Sequence, residues 1–334
     1  MPDTLGIAVV GLGAIGREHA HIYRDLPDCR LIAVADPIVS ASSLGPEWAD
    51  VESLNSLDSV LNDDRINAIS LCTPDHVHYE DAVKILRAGK HLLLEKPIAT
   101  QPDEVRALVE LSEAADVVAM PGHTLRFESR YHWAWRQFSS GRIGDLVHGY
   151  VRRDNKVSVA ARANGRVSVA FFLGVHDIDA LQWVTGQAVV AVQARESAVR
   201  DASGKQAAVV MATLEMSGGG LVQLEASWAL PEDHPTDLDS RLRLIGTTGE
   251  ISVDNFDNGA RVTSDRFELP MPAGSPLYGH TQGPLREELA HFVRCCQSGA
   301  APAVSMREAG QAVNVVNALE RASLSGQVQQ VERL

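Results

Sequence analysis

The start of the sequence constrains the fold most. An apolar run at residues 7–10 leads at once into Gly11-Leu12-Gly13-Ala14-Ile15-Gly16, and a helical pattern follows. A GxGxxG between a strand and a helix is the context in which the motif binds a dinucleotide. The first glycine permits the tight turn, the second lets backbone approach a pyrophosphate, and the third lets helix and strand pack closely. Gly11, Gly13, Ala14, Ile15 and Gly16 are therefore candidate cofactor residues. The helix N-terminus adds free N–H groups and a positive dipole end for phosphates. Asp36 ends the second apolar run, about 20 residues on. A carboxylate there accepts from both ribose hydroxyls and repels a 2′-phosphate, so NAD is expected rather than NADP. Pro37-Ile38-Val39-Ser40 supplies no cation to reverse that choice.

Further short apolar runs at 31–35, 68–72, 91–94 and 117–120 alternate with helical patterns such as 75–88 and 103–115. Strands apolar on both faces, separated by helices, read as a doubly wound parallel sheet. The pattern changes after about residue 122. Residues 145–153 read as a strand, an arginine-rich loop runs to about Arg166, and 175–184 read as a helix. Residues 221–228 alternate strictly, with Val222, Leu224, Ala226 and Trp228 on one face. Gly246-Thr247-Thr248-Gly249 separates two more strand patterns, a hairpin signal. The expectation is two domains, 1–122 and 123–334. The first is α/β and the second is α+β with an antiparallel sheet. Two helices, 284–297 and 305–324, close the chain.

At 334 residues, 45% apolar and 22% charged, the chain is ample for a large core. Its net charge of −13 argues against duplex DNA or an anionic membrane as the main partner. No apolar run reaches the length of a membrane span. Met1-Pro2-Asp3-Thr4 carries no basic region ahead of a signal core. Cys29, Cys72, Cys295 and Cys296 fit neither a disulfide frame nor a zinc site. A reducing cytoplasm is expected. No metal is expected either, because the pairs His19/His21 and His76/His78 lack a completing ligand set. Trp133 and Trp135 read as helix packing.

Three further stretches bear on chemistry: Cys72-Thr73-Pro74 with His78, Glu95-Lys96-Pro97, and Gly174-Val175-His176-Asp177-Ile178-Asp179. In an open α/β sheet, ligands bind beyond the carboxyl ends of strands, where the first two stand. With the glycine motif, Leu125-Arg126-Phe127, the 245–249 hairpin and residues 283–292, the sequence resembles the glucose–fructose oxidoreductase, inositol dehydrogenase and rhizopine-catabolism family (Gfo/Idh/MocA). The resemblance runs over nearly the whole chain. It implies a Rossmann domain and a second domain with a large open antiparallel sheet, whose exposed face forms homodimers or homotetramers. It also implies NAD(P)-dependent oxidation or reduction of a sugar, sugar acid or cyclitol.

On that resemblance Lys96 matches the catalytic lysine, often preceding a cis proline, and His176 the histidine that handles the substrate proton. Cys72, Thr73, Pro74, His78, Glu95 and Lys96 join the cofactor site. Many members carry an aspartate four residues before the histidine; this chain has Phe172. Arg126, Arg153, Asn155, Arg166 and His280, with His176, are candidate substrate contacts, as are Asp154, Lys156 and Arg162. Guanidinium groups suit a substrate carboxylate or phosphate. Two alternatives stand beside a dehydrogenase. One is an enzyme that keeps its NAD and catalyses hydrolysis or epimerisation without net redox. The other is a sensor that binds NAD and sugar without turnover.

Overall fold

The computed structural model describes residues 4–160, 165–200, 206–255, 262–263, 267–268, 278 and 280–334. The chain divides into two compact units: Met1–Phe127 with Pro276–Gly310, and Glu128–Ser275 with Gln311–Leu334.

The first unit holds β1 (Leu5–Val10), α1 (Ala14–Asp25), β2 (Cys29–Ala35), β3 (Glu52–Leu54), α2 (Leu57–Leu61), β4 (Ala68–Leu71), α3 (His78–Arg87), β5 (His91–Glu95), α4 (Pro102–Ala114) and β6 (Ala119–Gly122). Its sheet runs β3-β2-β1-β4-β5-β6, every pair parallel. All six residues of β1 are buried, as expected for a strand covered on both faces. The strand order reverses between β1 and β4, which creates a crevice at their carboxyl ends.

The second unit opens with α5 (Ser129–Ser139), β7 (Leu146–Lys156) and α6 (Val175–Thr185). There follow β8 (Val189–Arg200), β9 (Gln206–Met216), β10 (Leu221–Leu230), β11 (Leu238–Gly246) and β12 (Glu250–Asp254). A two-stranded pair comes next, β13 (Val262–Thr263) and β14 (Phe267–Glu268). The chain ends with α7 (Pro284–Ser298), α8 (Met306–Ser325) and β15 (Gln329–Gln330). The second sheet runs β12-β11-β7-β10-β9-β8-β15. It is antiparallel except for β7 with β10, which are parallel. That exception follows from the intervening helix and hairpin, which return the chain to the start of β7 before β10 begins.

Alternation sorts the second sheet's faces. Val151, Val222, Leu224, Leu242 and Leu244 are buried, while Gln223, Met211 and Arg243 on the other face are exposed. On the helical side Trp135 of α5 stacks on Trp183 of α6, with ring centres 5.8 Å apart. That is the packing role read for Trp135. In the first unit, α7 places Leu289, Phe292 and Val293 in the core that holds Ile7, Leu31 and Met120.

Candidate active site

The glycine turn of the first unit is forced by its neighbours. A side chain at Gly11, where φ is +91°, would meet the Cys72 carbonyl oxygen at 2.6 Å. One at Gly16 would meet the Gly11 carbonyl at 1.8 Å. Gly13 is different: nothing lies within 4 Å of the place its Cβ would take. Gly13 also caps α1 without a side-chain acceptor, and the first turn carries no acid. The N–H groups of α1, at Ala14 and Ile15, thus begin beside an open position, which fits a pyrophosphate. The first and third glycines are required by close packing, and the second leaves its surroundings open.

Asp36 closes the turn from the other side. Its Oδ2 accepts from the Leu12 N–H at 2.8 Å, and Oδ1 accepts from Ile38 and Val39 at 2.9 and 3.0 Å. Burial alone would raise this carboxyl. The three N–H donors and Arg17 outweigh it and hold the group below the usual carboxylate range. Asp36 is therefore an anion at neutral pH, the charge that repels a 2′-phosphate.

Beyond β4, Cys72 is buried and its N–H donates to the Val10 carbonyl at 2.8 Å. Thr73 and Pro74 follow, leading into α3. His78, at the start of that helix, lies with Nε2 2.8 Å from the Thr73 carbonyl and Nδ1 2.7 Å from the Pro97 carbonyl. It is buried and ties the loop after β4 to the turn after β5. His78 thus holds the loop after β4 in place. In the turn it reaches, the Lys96–Pro97 peptide is cis.

Glu95 ends β5. Its Oε2 accepts from the Lys96 N–H at 3.2 Å, and its Oε1 lies 3.3 Å from His19 Nε2. His19 is fully buried on α1, with Nδ1 2.8 Å from Ser70 Oγ and 3.4 Å from Cys72 Sγ. Burial lowers the His19 pKa, but Cys72 and Glu95 beside it more than reverse that, so it stands well above the ordinary histidine value. Burial would raise Glu95; His19 and Lys96 hold it below the carboxylate range instead. Gly122 leaves space for this carboxylate, since a Cβ there would meet Glu95 Oε1 at 3.0 Å. Sequence reasoning missed His19 as a partner of Glu95. Its one visible signal was a histidine on the apolar stripe of α1.

In the second unit, Ala170–Gly174 winds as a π-helix and runs directly into α6. Such single wide turns recur at functional sites. His176 stands in the first turn of α6 and is half-buried. Its neighbour Asp177 is buried and accepts from Arg153 Nε at 2.6 Å and Nη2 at 3.2 Å. Phe172 meets Trp228 edge-on, with ring centres 5.5 Å apart.

Several residues expected to touch substrate have other partners. Arg153 is buried against Asp177, so its guanidinium is spent inside the second unit. Arg126 is buried in the first unit, donating to Glu308 Oε1 at 2.8 Å and to the Ala303 carbonyl at 3.2 Å. Asn155 donates to the Asp237 carbonyl at 2.7 Å, and Lys156 pairs with Asp237 at 2.9 Å. Asp154 sits beside Arg152 on the sheet face turned away from α6. His280 is exposed and lies 3.1 Å from Asp25. Arg166 is exposed. Arg162 lies outside the described residues. Among the described residues, no three His, Cys, Asp or Glu side chains gather as a metal site would require.

A parallel sheet with a glycine turn at its switch point and an ionised aspartate after the second strand is a dinucleotide-binding domain. The profile of the oxidoreductase family with an NAD-binding Rossmann fold matches residues 5–123, and that of the GFO/IDH/MocA C-terminal domain matches residues 131–252. The chain belongs to this GFO/IDH/MocA family of NAD-binding oxidoreductases. It is 26% identical over 323 residues to scyllo-inositol 2-dehydrogenase (NAD(+)) of Bacillus subtilis, covering 91% of this chain and 90% of that one. A 2,7-anhydro-N-acetylneuraminate hydratase of Mediterraneibacter gnavus is 23% identical over 279 residues, 79% of this chain and 71% of that one. The structure of Lactobacillus casei scyllo-inositol dehydrogenase with bound NAD(H) and scyllo-inositol superposes with a TM-score of 0.82. That superposition, at 21% identity, covers 98% of this chain and 99% of that one and establishes a common fold.

Proposed function

We propose that the protein oxidises a hydroxyl of a cyclitol, sugar or sugar acid with NAD. The observation that carries the reading is the setting of Lys96. It follows β5, next to β4, whose end packs on the glycine turn, and Glu95 and His78 hold the backbone on either side of it. The inositol dehydrogenase of Bacillus subtilis, matched along nearly its full length, supports a cyclitol or a related ring.

Gly11, Gly13, Ala14, Ile15, Gly16 and Asp36 would hold NAD, with the loop from Cys72 to Pro74 closing over it. NAD supplies the hydride acceptor when bound. Lys96 hydrogen-bonds the reacting oxygen and stabilises its developing negative charge. His176 takes the hydroxyl proton. Arg153 is paired with the buried Asp177 and Arg126 donates to Glu308 and the Ala303 carbonyl, so this reading gives neither a role toward substrate.

Among the described residues no helix is long and apolar enough to cross a membrane, and all four cysteines are free thiols. A reducing cytoplasm suits them. The open face of the second sheet, with exposed Met211 and Leu221 beside Gln223, is the proposed surface for a homodimer or homotetramer.

The relative named as a hydratase favours a second reading, in which NAD stays bound and no net redox occurs. A carbinol-deuterated substrate separates the two. A dehydrogenase releases deuterated NADH into solution in proportion to product. An enzyme that keeps its cofactor forms product while free NADH stays flat.

A further inference from the structure

Helix α1 begins at Ala14 with no acid in its first turn, and its fourth residue is a cation, Arg17. A cation at that end of a helix opposes the dipole, so an anion brought to it from elsewhere stabilises it. Arg17 is half-buried, and its Nε donates to the Leu12 carbonyl at 3.1 Å, which turns the side chain back along the glycine turn. The N–H of the same Leu12 donates to Asp36 Oδ2 at 2.8 Å. One residue of the turn thus holds the guanidinium at its carbonyl and the carboxylate at its amide. The two charges also feel each other. Burial would raise the Asp36 carboxyl; the N–H donors of Leu12, Ile38 and Val39 lower it, and Arg17 lowers it further. The residues after β2, Pro37-Ile38-Val39-Ser40, supply no cation. The cation on the Asp36 side of the turn comes from α1 instead.

We propose that Arg17 is a second determinant of cofactor choice, a guanidinium that takes the 2′-phosphate of NADP when Asp36 is not there to exclude it. This rests on the reading of Asp36 as the residue that faces the adenosine ribose. In the native chain the carboxylate accepts from the ribose and repels a phosphate at its 2′ position. Arg17 is then balanced by Asp36, and NAD is preferred. Without the carboxylate the guanidinium charge is left for the phosphate. A guanidinium binds phosphate oxygens through charge-assisted, often bidentate hydrogen bonds. An arginine near the ribose is what accommodates a 2′-phosphate in this type of fold. The choice of NAD is therefore a balance between two side chains, one after β2 and one on α1.

The test is titration of NAD and of NADP into the native chain, Asp36→Ser, Arg17→Leu and the double variant, with melting curves to confirm folding. Asp36→Ser should weaken NAD and bind NADP about tenfold or more tighter than the native chain does. Adding Arg17→Leu to it should remove about 10- to 100-fold of NADP affinity, the worth of a charged hydrogen bond, and change NAD affinity much less. Adding Arg17→Lys instead should keep part of the gain. Arg17→Leu alone should weaken NADP more than NAD. Asp36→Asn, which keeps an acceptor for the loop N–H groups, takes the place of Asp36→Ser if the serine variant does not fold. No NADP gain in Asp36→Ser, a gain that survives Arg17→Leu, or equal losses of NAD and NADP in Arg17→Leu overturns this proposal alone. An NAD affinity unchanged in Asp36→Ser overturns the placing of Asp36 at the ribose, and this proposal with it.

Discussion

His19 and Glu95 form an ion pair sealed inside the first unit, Nε2 3.3 Å from Oε1, directly behind the backbone of Lys96. The two come from α1 and the end of β5, so the pair joins the helix that follows the glycine turn to the strand that delivers the lysine. It lets a carboxylate remain charged in the interior, and that carboxylate holds the Lys96 N–H.

A buried pair is costly to break from one side, because the survivor is left as an uncompensated charge. His19→Leu and Glu95→Leu should each destabilise the protein by about 3–5 kcal/mol. The double variant should cost clearly less than the sum of the two. Denaturant unfolding of the four proteins measures this; additive losses would show that the two side chains do not interact.

Asp36 accepts from the Leu12, Ile38 and Val39 N–H groups, and on the proposed reading it also faces the adenosine ribose. Asp36→Ala should weaken NAD far more than NADP, since it removes both the ribose acceptor and the charge that repels a 2′-phosphate. Titration of both cofactors checks it. Equal losses for the two would assign Asp36 to the loop alone, through its bonds to Leu12, Ile38 and Val39.

Arg153 should prove structural. Arg153→Ala leaves Asp177 buried and unpaired, at a cost of about 3–5 kcal/mol. The melting temperature should fall well before substrate affinity is the issue. A variant of wild-type stability with a raised KM would instead place the guanidinium on the substrate.

Asp154 gives a pH prediction. Burial, then Glu225, push its carboxyl up to about 7, with Asp239 and Asp177 adding to the rise and Arg152 opposing it. The unfolded chain gives up this proton near the ordinary carboxylate value of about 3.9. Between those values the native state holds a proton that the unfolded state has lost, so stability falls as pH rises, and the full cost stands above about 7. Asp154→Asn removes that cost. It should raise the melting temperature more at about pH 8 than at about pH 5. An equal gain at both, or none, would contradict the assignment.

Much of this was legible in the sequence because it is local. The glycine turn, Asp36, the Glu95-Lys96-Pro97 turn and the alternation around Leu224 are each set by a few consecutive residues. What was not legible depends on residues far apart in the chain. His19 finds Glu95 across 76 positions, and Arg126 finds Glu308 across 182. Arg153 looked like an anion-binding cation because nothing local shows that Asp177 turns back onto it. Strand β3, Glu-Ser-Leu, is short and polar, and only its neighbour β2 makes it a strand. The parallel pairing of β7 with β10 likewise follows from the path between them.

The most direct measurement follows NADH formation by absorbance as NAD and a panel of cyclitols, aldoses and sugar acids are added to the protein and to Lys96→Ala. The account predicts NADH from at least one class with the protein, and loss of that rate in Lys96→Ala with NAD binding intact. NAD bound without NADH across the panel, or an undiminished rate in Lys96→Ala, would contradict it.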